Sequence, residues 1–216
     1  MRAQELQSMP VASIYFGGGT PSMLNDDELG AIFQVIEANY QVLPSAEITL
    51  EANPDDLSLK KITQLAVTPV NRLSIGVQSF FEADLKLMNR AHTAKEALES
   101  LKIAQTYFDN ITIDLLYGMP EMSNVRWEEN LQIAFDLKLN HLSCYALTVE
   151  PKTPLAHFIK TAQHPPLNDA VAAQHFQTLV NATAKAGFTH YEVCSFGKPG
   201  YFSKHNSCLL YTSPSP

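Results

Sequence analysis

The chain has 216 residues, of which 45% are hydrophobic and 17% charged, a composition typical of a globular domain and not of a disordered chain. Its formal net charge of −7 disfavours the phosphate backbone of a nucleic acid as a partner. No apolar run reaches the ~18 residues that cross a membrane. The cysteines Cys144, Cys194 and Cys208 are too widely spaced for a disulfide framework or a metal knuckle. We therefore expect a cytoplasmic protein with one domain, or one domain and an appendage.

Short β-type runs alternate with helix-type stretches along the chain. Patterns typical of a capping box at Asn25–Glu28 and Thr93–Glu96 open two predicted helices, and Gly187 is predicted to end another. Successive strands lie roughly 30 residues apart, the length of a βαβ unit, so we predict an α/β fold with a parallel sheet. Five or six strands fit a partial barrel better than a complete one. The predicted strands are Val11–Phe16, Glu47–Leu50, Arg72–Val77, Ile111–Leu116, Leu142–Leu147 and Tyr191–Phe196.

Polar residues stand at the carboxyl ends of the predicted strands, where parallel α/β folds bind their ligands. Glu51 and Gln78 follow the second and third strands, and Asp114 lies inside the fourth. Arg90 comes after a short helix that follows the third strand, and the first strand ends in Gly17-Gly18-Gly19-Thr20. Two carboxylates, an amide and a guanidinium around a Gly-rich turn can bind a zwitterion that carries hydroxyl groups.

The Gly triplet, Glu51, Arg90 and Asp114 each also have a structural interpretation that the sequence leaves open. The Gly triplet fits a tight turn, and it matches neither a P-loop nor the G-x-G-x-x-G dinucleotide pattern. Glu51 fits a solvated strand end, and Arg90 fits a surface cation. Asp114 is either a ligand contact or a hydrogen-bonded core carboxylate, because an unpaired carboxylate in an apolar strand is costly.

At these residues the chain resembles the radical S-adenosylmethionine (SAM) superfamily, in particular its branch of oxygen-independent coproporphyrinogen III oxidases and HemW-type heme chaperones. The resemblance covers the chain from about Ser13 to Asn206 and implies a partial parallel (β/α)6 barrel. It rests on five ordered segments: Tyr15–Ser22, Glu51–Asp55, Asn71–Phe80, Asn89–His92 and Ile113–Pro120.

The resemblance also implies a SAM site. Its implied contacts are Gly18, Gly19 and Thr20 at the methionine end, Glu51, Gln78 and Asp114 at the amino group and ribose, and Arg90 at the carboxylate.

The sequence departs from the family pattern at both ends. The family's three cluster cysteines precede the Gly-rich turn, whereas none of the twelve residues before Ser13 is a cysteine. We therefore expect no metal ligands here, and a 4Fe-4S cluster only in a longer form of the protein. We expect residues 1–206 to form an incomplete barrel, without its first strand, and the start of a following region. Residues 207–216 are predicted to be a non-native tail.

Two functions of this branch compete. One is a chaperone that binds SAM and heme and transfers heme to target proteins. The alternative is an oxidase that decarboxylates coproporphyrinogen III to protoporphyrinogen IX. The segments Leu147–Pro154 and Ile75–Ser79 look more like the chaperone branch, which we favour. A barrel that binds another metabolite without SAM is a third hypothesis, and it requires the motif matches to be accidental. Whether the chain alone is an enzyme is left open, because its cluster ligands are missing.

Overall fold

The computed structural model describes residues 9–212, with side chains described as far as Leu209. It has seven strands in one curled sheet, in the order β1-β2-β3-β4-β5-β7-β6. The strands are β1 (Val11–Phe16), β2 (Val42–Ala52), β3 (Arg72–Gln78), β4 (Ile111–Tyr117), β5 (His141–Ala146), β6 (Thr189–Glu192) and β7 (Ser195–Gly197). The helices are α1 (Asp26–Asn39), α2 (Leu59–Ala66), α3 (Glu82–Leu87), α4 (Ala94–Ala104), α5 (Asn124–Asp136), α6 (Pro154–Lys160), α7 (Asp169–Lys185) and α8 (Lys204–Thr212). None of the helices in this part of the chain is long and apolar enough to span a membrane.

The first five strands are parallel, and each of the first four pairs with its successor in the chain. At least one helix lies between each pair of consecutive strands, which is the arrangement of repeated βαβ units. The curled sheet with this connectivity is the predicted partial barrel, and the predicted α/β class is therefore confirmed. β1 stands at one edge of the sheet.

The predicted sixth strand, Tyr191–Phe196, is wrong as a single element. The structure divides it into β6 and β7, which pair antiparallel across a turn at Val193 and Cys194. β7 then pairs antiparallel with β5. This turn could not be recognised from the sequence, because Val and Cys are not typical turn residues and the segment contains neither Gly nor Pro.

Both predicted capping boxes are present. The Asn25 side chain accepts a hydrogen bond of 3.0 Å from the Glu28 backbone N–H, and the Glu28 carboxylate accepts one of 2.9 Å from the Asn25 N–H. Thr93 and Glu96 form the same reciprocal pair at the start of α4. Gly187 has φ +81° just beyond α7, the left-handed conformation expected after a helix end. These contacts fix the starts of α1 and α4 and the end of α7.

The two faces of the sheet differ in polarity. In β3, Leu73, Ile75 and Val77 are fully buried in the apolar core, whereas Ser74 and Gln78, at the alternate positions, line a polar cavity. Side chains alternate between faces along a strand, so one face of β3 is apolar and the other polar. The helices contribute their apolar faces to the same core, through residues such as Ile62, Leu101 and Trp127. The opposite face of the sheet is thus left free to present polar groups.

A buried polar network lies at the amino ends of the central strands. Arg72, which is 1% exposed, donates to Asn110 Oδ1 at 2.7 Å and to Thr112 Oγ1, and its guanidinium lies 3.8 Å from the Glu47 carboxylate. The network continues from Thr112 to His141 Nδ1 at 3.0 Å. Because the buried charge is paired and hydrogen-bonded, its desolvation is compensated. The network therefore fixes the base of the half-barrel.

The chain after β7 returns to the sheet and contacts β6 through Tyr191. Tyr191 Oη, which lies 2.6 Å from His141 Nε2, accepts a hydrogen bond of 2.9 Å from the Ser203 N–H. α8 begins at Lys204 and includes residues 207–212, the first part of the predicted tail. Residues 213–216 lie outside the described residues, and the non-native origin of residues 207–216 stays a prediction.

Candidate functional site

A polar cavity of about 170 Å³ opens at the carboxyl edge of the parallel strands. Of the seven site residues predicted from the sequence, five line this cavity, and Gly18 and Arg90 do not. A larger cavity of about 590 Å³ lies elsewhere, between α1 and the start of β2. The residues that line the polar cavity are Gly19, Thr20, Pro21, Glu51, Ala52, Asn53, Ser74, Gly76, Gln78 and Asp114.

The Gly-rich turn after β1 is open at two of its three glycines. Gly18 has φ +78°, which favours glycine, and a Cβ at Gly18 or Gly19 would meet no atom within 4 Å. The open space leaves the backbone accessible to a ligand. Gly17 differs, because a Cβ there would lie 2.8 Å from Tyr15 Cε1 and 2.9 Å from Glu51 Oε1. The constrained glycine is thus Gly17, which the sequence did not single out.

Glu51 is held by Tyr15. The Tyr15 hydroxyl donates a hydrogen bond of 2.8 Å to Glu51 Oε1. Burial, together with this bond and the charge of Glu51, raises the pKa of the Tyr15 hydroxyl, so the group remains a protonated donor at neutral pH. Glu51 itself is half-buried near the end of β2 and lines the cavity.

Asp114 faces the same cavity from β4. Desolvation of its carboxyl group, with repulsion from Glu51 added, raises its pKa to about 7. The Arg90 charge and a hydrogen bond with Ser143 act in the opposite direction. Asp114 as a whole is only half-buried because it borders the cavity, yet its carboxyl group is desolvated. Asp114 is hydrogen-bonded, as expected of a structural core carboxylate, and it faces a cavity, as expected of a ligand contact. Each of the two interpretations therefore agrees with part of its surroundings.

Gln78 closes β3 in a strained turn. Its φ is +67°, and the Ser79 N–H donates to the Val77 carbonyl at 2.8 Å, which makes Gln78 the centre of a γ-turn of the rare, strained type. The Val77 carbonyl also lies 3.1 Å from His92 Nε2, which must donate because a carbonyl only accepts. At Gly76, a Cβ would approach the Gln78 amide nitrogen to 3.0 Å. The turn aims the Gln78 amide into the cavity.

Arg90 lies beside the polar cavity rather than in its lining. Burial lowers the pKa of its guanidinium, while the charges of Asp114 and Asp55 raise it. Arg90 borders a second cavity of about 440 Å³, with a largely apolar lining that includes Met88, Leu116 and Leu155. Arg90 therefore stands between a polar cavity and an apolar one.

Several residues of the site were missed by the sequence interpretation, among them Tyr15, Asn53, Ser74 and Gly76. A signal for two of them was present. Ser74, Gly76 and Gln78 alternate with apolar residues along β3, so Ser74 and Gly76 share the face of the predicted Gln78. The role of Tyr15 had no such signal, since its contact with Glu51 spans 36 positions.

The cysteines do not fit an iron–sulfur cluster. Cys144 is buried, Cys194 is half-buried and Cys208 is exposed. Within residues 9–212, no three His, Cys, Asp or Glu side chains are grouped so as to hold a metal ion. The thiolate set that a four-iron cluster requires is thus not assembled by this part of the chain.

The chain is similar to known proteins. The sequence pattern of the Radical SAM superfamily matches residues 1–152. The chain is 36% identical to the heme chaperone HemW of Lactococcus lactis subsp. lactis (strain IL1403), over 94% of this chain and 55% of the relative. It is 34% identical to the mitochondrial radical S-adenosyl methionine domain-containing protein 1 of Bos taurus, over 95% of this chain and 48% of the relative.

The fold has a matching solved structure, the coproporphyrinogen III oxidase HemN from Escherichia coli. The two superpose with a TM-score of 0.80 and 24% identity, over 97% of this chain and 48% of HemN. The chain thus spans about half the length of the proteins it matches. On the sequence similarities the chain belongs to the radical SAM superfamily, in its HemW/HemN branch.

Proposed function

We propose that this chain is the SAM-binding part of a HemW-type heme chaperone. The observation that carries the proposal is the polar cavity at the carboxyl edge of the sheet, where Glu51, Gln78 and Asp114 meet the Gly-rich turn. A cavity with two carboxylates, an amide and accessible backbone suits a zwitterion with hydroxyl groups. SAM is such a ligand, and the chain belongs to a superfamily defined by it.

Each group has a role in holding SAM. Arg90 suits the ligand's carboxylate, because a guanidinium binds a carboxylate through two parallel hydrogen bonds. Glu51 and Asp114 suit the ammonium and the ribose hydroxyls, which donate hydrogen bonds to carboxylates. Gly18 and Gly19 leave room for the methionine end to approach the backbone. Bound SAM supplies a reactive sulfonium, and these residues bind and orient the ligand.

The chaperone is favoured over the oxidase by the sequence relatives. Relatives named heme chaperone HemW come from Lactococcus lactis, Synechocystis, Bacillus subtilis and Escherichia coli, at 33–36% identity. HemN is 24% identical, a level at which the likeness concerns the fold alone. The oxidation of coproporphyrinogen III is therefore the second candidate.

The apolar cavity beside Arg90 supports a porphyrin-type ligand. Heme combines a large apolar ring with carboxylates, so a site for it needs apolar walls with a few polar groups. The cavity of about 440 Å³ offers Met88, Leu116, Leu147 and Leu155 beside Arg90. We propose heme as the cargo and heme-accepting proteins as the partners. We also propose a cytoplasmic location, because Cys144, Cys194 and Cys208 are too widely spaced for a disulfide framework.

The cargo is tested by titrating the chain with hemin and, separately, with coproporphyrinogen III. We expect a saturable change in the heme absorption band with hemin. Leu155→Glu, which places a carboxylate in the apolar cavity, should weaken that binding by at least about tenfold. Val125→Glu is the control, because Val125 is 62% exposed on α5. Saturable binding of coproporphyrinogen III without binding of hemin would favour the oxidase instead.

A further inference from the structure

Tyr15 connects the polar cavity to the segment that follows β7. The Tyr15 hydroxyl donates a hydrogen bond of 2.8 Å to Glu51 Oε1. The imidazole of His205 stacks on the Tyr15 ring, with 4.3 Å between ring centroids and an interplanar angle of 21°. Tyr15 is thus held between a residue that lines the cavity and one that lies 190 positions further along the chain.

His205 is itself fixed to β2. Its backbone N–H donates to Glu47 Oε1 at 3.2 Å, and the preceding Ser203 hydroxyl donates to the same oxygen at 3.3 Å. Lys204 Nζ reaches the Ser45 carbonyl at 2.6 Å. Glu47 and Glu51 lie four residues apart on the same face of a strand. One strand therefore both anchors the His205 segment and carries the cavity carboxylate.

The position of the Tyr15 ring leaves little freedom to Glu51. A Cβ at Gly17 would approach both the Tyr15 ring and the Glu51 carboxylate to under 3 Å, at 2.8 and 2.9 Å. The turn, the ring and the carboxylate are therefore in close contact. If the His205 ring left, Tyr15 would lose the stacking surface that fixes it, and Glu51 would lose its fixed donor.

We propose that Tyr15 is a positioning residue: it sets the Glu51 carboxylate for the ligand, and it does so only while His205 is stacked on its ring. This inference rests on the proposed function, in which the cavity binds SAM. Its consequence is that the segment around His205 contributes to ligand affinity without lining the cavity. Because such coupling is reciprocal, a bound ligand should in turn stabilise the His205 segment.

The test combines a readout with ligand and one without it. Tyr15→Phe removes the hydroxyl and keeps the ring, His205→Ala removes the stacking partner, and His205→Phe restores an aromatic ring. Tyr107→Phe is the control, because Tyr107 is 46% exposed in the turn after α4. Calorimetry gives the affinity for SAM. The carboxyl ¹³C resonance of Glu51, assigned with Glu51→Gln, reports the hydrogen bond in the free protein.

We expect Tyr15→Phe and His205→Ala to lower the affinity for SAM about tenfold and to shift the Glu51 resonance. His205→Phe should be close to wild type in both measurements. Thermal melting of Tyr15→Phe should stay near that of wild type and Tyr107→Phe. An unchanged Glu51 resonance in both Tyr15→Phe and His205→Ala would overturn the inference. If the wild-type chain did not bind SAM at all, the proposed function would fail, while the Glu51 resonance would still decide whether Tyr15 and His205 position this carboxylate.

Discussion

Asp114 and Glu51 face one cavity from β4 and β2, and the charge of Glu51 adds to burial in raising the pKa of Asp114 to about 7. Two negative charges in one desolvated space repel each other. A cationic ligand relieves their repulsion, so the free cavity is poised to accept positive charge. The nearby Arg90 offsets only part of the effect, since the pKa of Asp114 remains raised.

The first prediction concerns the pH dependence of ligand binding. Asp114 ionises as the pH rises towards its pKa of about 7, and the ionised form binds the positive charges of SAM more tightly. We therefore expect the affinity for SAM to increase between about pH 5.5 and 7, below the pH at which a free α-amino group loses its proton. The affinity of Asp114→Asn for SAM should be nearly independent of pH over this range. If the affinity for SAM changed equally with pH in wild type and in Asp114→Asn, a group other than Asp114 would control the pH dependence.

The second prediction concerns the stability of the free protein. The carboxyl of Asp114 has a higher pKa in the folded chain than its ordinary value of 3.8, so it favours the folded state below that value and loses this contribution as the pH rises through about 7. The loss is at most ~4 kcal/mol, since each pH unit corresponds to ~1.4 kcal/mol.

Asp114→Asn lacks this titration. The free energy of unfolding of Asp114→Asn, measured in urea, should therefore rise relative to that of wild type as the pH is raised from about 4 to 8. A stability difference that is independent of pH, or that falls with rising pH, would contradict the raised pKa.

The third prediction concerns the buried network at the base of the half-barrel. Arg72→Met should lower the free energy of unfolding by ~3–5 kcal/mol, because it leaves the buried Glu47 without its cationic partner. Lys95→Met is the matched control, since it breaks an exposed pair with Glu99 that is worth at most ~0.5 kcal/mol. Urea denaturation measures both. Equal losses in the two variants would show that the network contributes no more than a surface pair.

The fourth prediction compares two glycines. Gly17→Ala should weaken SAM at least about fivefold, because its Cβ would displace Tyr15 or Glu51. Gly30→Ala should leave SAM binding unchanged and stabilise the protein by ~0.5–1 kcal/mol. Gly30 lies inside α1, where a Cβ would meet no atom within 4 Å and alanine is the better helix former. Wild-type affinity in Gly17→Ala would show that the Tyr15–Glu51 contact tolerates displacement.

Local patterns predicted much of the fold. The first five strands and both capping boxes were recognisable because apolar runs and capping residues act over a few positions. Five site residues could also be placed together, since parallel strands bring their carboxyl ends to one edge. The turn at Val193 was missed because its residues have strand propensity.

Long-range contacts were beyond the sequence. Arg72 was predicted only as the first residue of a strand, yet it is buried among Glu47, Asn110 and Thr112. The stacking of Tyr15 on His205 joins segments near the two ends of the described chain. Such partners are set by the folded topology, and neither periodicity nor spacing along one sequence encodes them.

Calorimetric titration of the 216-residue chain with SAM is the most direct test of SAM binding in the polar cavity. We predict saturable binding with one ligand per chain. Arg90→Ala should weaken it at least ~10-fold, because removing a charged partner from a desolvated site costs ~2–5 kcal/mol. Lys95→Ala, which alters an exposed cation, should bind as wild type does. No saturable heat with the wild-type chain, or equal affinity in wild type and Arg90→Ala, would contradict the assignment.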